Sequence, residues 1–208
     1  MSASVLPLTD LTVTAPAASQ DLTELITFKQ ELGLSDSGSD ALLARLVSEA
    51  SAMVAGHCRR IFAREGLLER LLLTSGRSPL LLSRYPVAAL DSVALDGQVL
   101  DATAYQLEAG LGLLHCLDGR YAGRWSGEVV LRYQAGWRLP GDESGPRDLP
   151  QEVERATLEL AKSLWFARLR DPQLDSEDLP GVYKAVYGRS ALPAQVISLL
   201  APYRTRQI

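Results

Sequence analysis

DALLARLVSEASAMVAGHCRRIF, residues 40–62, carries the clearest periodicity in this 208-residue chain. Leu42, Leu43, Leu46, Val47, Ala50, Met53 and Val54 recur at the helical period and set one apolar stripe along a helix. Ser39 or Asp40 supplies the N-cap, where a side-chain oxygen accepts an orphan backbone N–H. The small residues Ala44, Ala50, Ala52 and Ala55 let a neighbouring helix approach closely. From about Ile61 the period is lost, so the flanks of this helix decide the fold.

Upstream, DLTE at 21–24 fits an N-cap with an acid three positions on, and Leu22, Leu25, Ile26 and Leu32 form one helical face. Gly33 ends that helix, and SDSGSD is a loop. Residues 1–20, rich in Ser, Thr, Ala and Pro, read as a flexible arm. The opening MSASVLPLTD lacks the basic and apolar regions of a secretory signal, which argues against one.

Downstream, short β-like runs are punctuated by Arg84-Tyr85-Pro86, Asp96-Gly97 and Asp118-Gly119, and the first Asp-Gly pair is a hairpin signal. Tyr105–Leu107, Leu113–Cys116 and Glu128–Tyr133 are expected strands, and the last alternates cleanly. Gly136 closes this region, and 139–150 is a loop. Pro150 then opens a helix to about Arg170, with Val153, Ala156, Leu160, Leu164 and Trp165 inward. Asp171-Pro172 stops it. A polar loop, a short helix from about Pro193 to Leu200 and a tail, APYRTRQI, complete the chain. The expected fold is α+β: mainly a helical bundle of about four helices (21–60 and 149–208), interrupted by a small antiparallel β insertion at 61–138.

Composition narrows the function. At 47% hydrophobic and 22% charged the chain is not disordered throughout. The longest leucine clusters, Leu71–Leu73 and Leu80–Leu82, fall far short of a membrane span. Two cysteines make no disulfide framework. A net charge of −4 argues against tight binding to DNA phosphates. The charge is also uneven: residues 1–58 hold seven acids against two bases, whereas only Lys184, Arg189, Arg204 and Arg206 are charged after Asp178. Such a chain can dock end to end with its own copies or with a charged partner.

Catalytic candidates are thin. His57-Cys58 and His115-Cys116 offer zinc-type ligands, but adjacent residues diverge on a helix or a strand, and no CxxC or HxxxH spacing supports them. Gly110-Leu111-Gly112 lacks the third glycine of a dinucleotide loop, and no P-loop or GxSxG elbow occurs. Ser126 reads as a turn serine. Glu152 and Glu154 read as a solvated helix start. Arg59, Arg60 and Arg64 form a basic cluster with no recognition-helix pattern. No metal or cofactor is expected.

In their order these segments resemble the head–tail connector (adaptor, or head-completion) proteins of tailed double-stranded-DNA bacteriophages. The likeness runs over about 22–205. It rests on the long helix 40–62, on RYPVAALDSVALDGQVLDATAYQLEAGLGLLH at 84–115, on GEVVLRYQAGW at 127–137, on DLPQEVERATLELAKSLWFARLRDP at 148–172 and on LPAQVISLLAPYR at 192–204. The arm 1–20 and the loop 138–148 depart from it. The resemblance implies a structural virion protein, not an enzyme. Its copies would form a ring, commonly a dodecamer, on the portal protein after DNA packaging, and extend the channel towards a stopper or tail-completion protein. DNA would pass through without sequence-specific binding, and no membrane is involved. The C-terminal residues Tyr203, Arg204 and Arg206 would engage the portal, and the acids Glu24, Glu31 and Glu49 would face the channel. The implied location is the head–tail interface of the virion, after synthesis in the bacterial cytoplasm. A tail-completion or tail-terminator protein and a small hydrolase centred on His57 or His115 are the alternative readings.

Overall fold

A computed structural model describes residues 8–119, 121–168, 176–179, 183–186 and 192–205. The chain divides into two units, each drawn from two separate stretches: Met1–Ala18 with Ala63–Arg138, and Ser19–Phe62 with Leu139–Ile208.

Among the described residues the first unit is β apart from a 3-10 turn at Ala102–Ala104. Its strands in chain order are β1 (Leu8–Ala15), β2 (Glu65–Arg77), β3 (Leu80–Leu81), β4 (Val87–Leu95), β5 (Gln98–Val99), β6 (Tyr105–Glu108), β7 (Leu113–Asp118), β8 (Tyr121–Ala122) and β9 (Trp125–Ala135). One antiparallel sheet runs β1-β2-β9-β4-β5; a second runs β3-β7-β6, with β8 paired to β7. Alternation along β2 and β9 sends Leu67, Leu71, Leu73, Val129, Leu131 and Tyr133 into one core, where they meet Leu80, Leu82 and Leu114 of the second sheet's side. Each fully buried leucine of this kind contributes about 1.5–3 kcal/mol. Trp125 joins the sheets: it is fully buried and its indole N–H donates to the Leu114 carbonyl at 3.0 Å.

The β4–β5 hairpin turns at Asp96-Gly97, where φ is +48° and +82°, the paired positive values a two-residue primed turn requires. Asp96 then accepts the Glu128 N–H at 2.8 Å, and Gly127 leaves the room, since a Cβ there would strike the Asp96 carboxylate.

The second unit contains α1 (Leu25–Leu32), α2 (Asp40–Cys58), α3 (Gln151–Ala167) and α4 (Ala194–Leu200), together with an antiparallel ribbon of β10 (Ser176–Leu179) and β11 (Tyr183–Val186). α2 packs on α3, and α3 on α4. Leu43, Leu46, Val47, Ala50, Val54 and Cys58 are the buried face of α2; Val153, Ala156, Leu160 and Ala161 are buried on α3, and Val196 and Leu200 on α4. Gly33 caps α1 in the left-handed conformation and donates to the Gln30 and Lys29 carbonyls.

The expectation of a mainly helical bundle with a small β insertion is overturned. Among the described residues the strands hold at least as many residues as the four helices, and the β region has its own hydrophobic core. The reason is extent of pairing. β2 is 13 residues long, and Leu8–Ala15, read from composition as part of a flexible arm, pairs with it from Leu8↔Leu72 to Ala15↔Gly66. Three smaller corrections follow. α1 starts at Leu25, with Glu24 as its N-cap. The expected polar loop beyond Asp171 includes the β10–β11 ribbon. Ser126 is an exposed residue of β9, not a turn serine.

Candidate interaction surfaces

The C-terminal segment is built onto the helical unit. α4 runs into a 3-10 turn at Ala201–Tyr203, with Pro202 inside the turn. The Tyr203 hydroxyl donates to the Glu152 carboxylate at 3.1 Å, and the Thr205 N–H donates to the Cys58 carbonyl at 2.9 Å. Partial burial, then the Glu152 carboxylate, push the Tyr203 phenol up. These two bonds tie the tail to the start of α3 and the end of α2. Arg204, between them, is exposed. Arg206 lies outside the described residues.

The three acids expected on a channel face have different surroundings. Glu24 and Glu49 are exposed, the first at the start of α1 and the second midway along α2. Glu31 is engaged: it accepts from Lys162 at 2.8 Å and from Arg155 at 3.2 Å, both on α3. The Lys162 hydrogen bond is the main reason its carboxyl sits below the ordinary range. Glu159 pairs with the same two cations, so the charges on this face are largely balanced.

Glu154 does not behave as part of a solvated helix start. It is buried, accepts from Thr23 at 3.3 Å and pairs with Arg147 at 2.9 Å. A spacing of two turns a helix by about 200°, which sends Glu152 outward and Glu154 inward. That inward carboxylate had no signal in the sequence beyond the spacing.

Neither histidine belongs to a larger cluster of ligand-type side chains. Among the described residues no group of three or more His, Cys, Asp or Glu side chains can hold a metal. Cys58 closes α2 and is fully buried; desolvation pushes its thiol up to about 11 against the opposing charges of Arg60 and Arg204. His115 lies on β7, between β3 and β6, and its Nε2 is 2.6 Å from Glu108. No described helix is long and apolar enough to cross a membrane.

No protein-family model matches the chain, and no curated protein does. Solved structures do. A chain from the neck of the empty gene transfer agent (GTA) particle, computed with C6 symmetry, matches 96% of this chain and 97% of its own length with a TM-score of 0.56 at 20% identity. The fold is that of a GTA-particle neck chain. The neck of the native GTA particle, computed with C12 symmetry, contains a match with the same TM-score, identity and coverage. A chain of the native GTA virion matches at 0.57 and 18% identity, over 95% of this chain and 96% of its own.

Proposed function

We propose that this protein is a head–tail connector (adaptor) subunit, a structural component of a phage or phage-like particle. The observation that carries the reading is the end-to-end likeness to chains of GTA necks, which spans both units rather than one of them. The C6 and C12 symmetries of those necks are consistent with a ring of copies. The ordered motifs from residue 22 to 205 support the same role.

In this reading the copies form a ring on the portal protein after DNA packaging, most simply a dodecamer. The ring extends the channel and offers a seat to a stopper or tail-completion protein, and its task is structural, not enzymatic. The exposed Arg204, with Tyr203 and Arg206, is the portal-facing patch; Tyr and Arg are enriched where interfaces draw their affinity. Glu24 and Glu49 are the acids available to a channel lining that repels DNA, whereas Glu31 adds little charge because Lys162 and Arg155 offset it. The protein is then made in the host cytoplasm and resides at the head–tail joint of the virion.

Electron microscopy of a lysate lacking this gene tests the proposal. DNA-filled or leaking heads beside separate, finished tails are expected. Complete tailed particles would overturn it.

A further inference from the structure

A cleft of about 780 Å³ lies at one end of the β unit. It opens where the end of β2, the Ser78-Pro79 turn, β7 and the segment before β9 come together. Arg77, Arg124 and His115 line it, with Ser75, Ser78 and the backbone of Gly76. No carboxylate is among its described lining residues, and the lining His115 is bonded to Glu108.

The buried Trp125 anchors the start of β9, so its chain neighbour Arg124 projects the opposite way, outward. There its guanidinium donates to the Gly76 carbonyl at 3.3 Å, and Gly76 lets the side chain lie close, since a Cβ would come within 3.2 Å of the arginine Cδ. One of five guanidinium donors is spent on that bond, and the fork remains able to take a carboxylate in bidentate fashion.

We propose that this cleft binds the carboxylates of an acidic protein segment, and that the segment is loop 35–40 of a second copy of the chain. Two observations favour a protein partner over nucleic acid. The described lining residues include no aromatic ring on which a base can stack, and the two arginines among them do not make the cationic stripe that a phosphate backbone needs. The chain also carries the complement. Residues 35–38 are exposed, and the Asp36 carboxylate is braced by the Gly38 N–H at 2.9 Å, within the stretch where acids outnumber bases seven to two. Asp40 is held by Lys29 at 2.6 Å, which leaves Asp36 as the acid that reaches. Complementary patches at two different places on one chain generate head-to-tail contacts, the kind that close into rings. The inference does not depend on which virion partner the ring meets.

The test is calorimetric titration of the full-length protein at low salt with a peptide of residues 33–42 (GLSDSGSDAL). Binding should weaken about tenfold or more in Arg124→Gln and in Arg77→Gln, and equally when the peptide carries Asp36→Asn. Arg70→Gln, on the exposed face of β2, should bind as the wild type does, and circular dichroism checks that each variant is folded. Absence of binding at millimolar peptide, or binding indifferent to Arg124→Gln, would overturn the proposal. So would a short DNA duplex that binds more tightly than the peptide and loses its affinity in the same variants.

Discussion

The Tyr133 hydroxyl donates a 2.5 Å hydrogen bond to a Glu69 carboxylate oxygen, and both side chains are sealed from solvent inside the β unit. Glu69 also receives the Ser83 hydroxyl at 2.6 Å and the Ser83 N–H at 3.1 Å. A carboxylate is thereby held among leucines, on the inward face of β2, by donors from β9 and from the turn after β3. Burying such a group without partners costs several kcal/mol, so the donors are what make the position tolerable.

Tyr133→Phe removes the phenolic donor and leaves the carboxylate under-bonded. A loss of about 1–3 kcal/mol is expected in urea denaturation. Burial and the Glu69 charge push the Tyr133 phenol far up, so the folded state keeps its proton where the unfolded chain releases it. That stabilisation is complete below the ordinary phenol value of 10 and is lost progressively as pH rises above it. Tyr133→Phe should remove this part of the alkaline destabilisation.

Glu31 pairs across helices at a partly exposed site, where ion pairs are worth little. Glu31→Gln should cost about 0.5–1 kcal/mol at neutral pH, and less in molar salt. The folded carboxyl titrates below the ordinary value of 4.5, so its contribution is present above that pH and fades as pH falls through the lowered value. The gap between wild type and Glu31→Gln should close over that acidic range in thermal melts.

Arg59 ends α2 with φ +52°, a left-handed position that suits glycine better than a residue with a Cβ. Its side chain is exposed, so little packing is lost on truncation. Arg59→Gly should stabilise the protein by up to about 1 kcal/mol, read as a higher urea midpoint with an unchanged slope.

The two thiols differ in access. Cys58 is fully buried with its thiol pushed up to about 11, whereas Cys116 is half-buried on β7. Desolvation, aided by Asp118, raises Cys116 as well. Iodoacetamide at pH 8 should alkylate native Cys116 well before Cys58, and denaturation should make the two alike. Mass spectrometry of timed quenches distinguishes them.

The helices were legible because their signal is local. Leu43, Leu46, Val47, Ala50 and Val54 fall on the buried face of α2 as their spacing predicts, and Asp96-Gly97 marks its turn. What failed depended on distant partners. The Thr-rich run 8–15 looks like an arm until β2 is beside it; the β-branched Thr9, Thr12, Val13 and Thr14 were the one clue. Glu69 interrupts the apolar face of β2 and hides a 13-residue strand, because its donors come from Ser83 and Tyr133 far along the chain. The cleft has no sequence signal for the same reason: Arg77, Arg124 and His115, the last of which the sequence marks only as a zinc-type ligand, are brought together by strand pairing alone.

Each unit is written in two instalments with part of the other between them. During synthesis β1 leaves the ribosome before its partner in the pair Leu8↔Leu72, which is made only after α1 and α2, and β2 must in turn await β9. Those helices wait longer still, for α3. A chain released before β9 is made therefore contains no finished unit and leaves apolar faces of both units uncovered. The β unit can therefore close only once β9 is made, and the helical unit only after α3 and α4 have followed it.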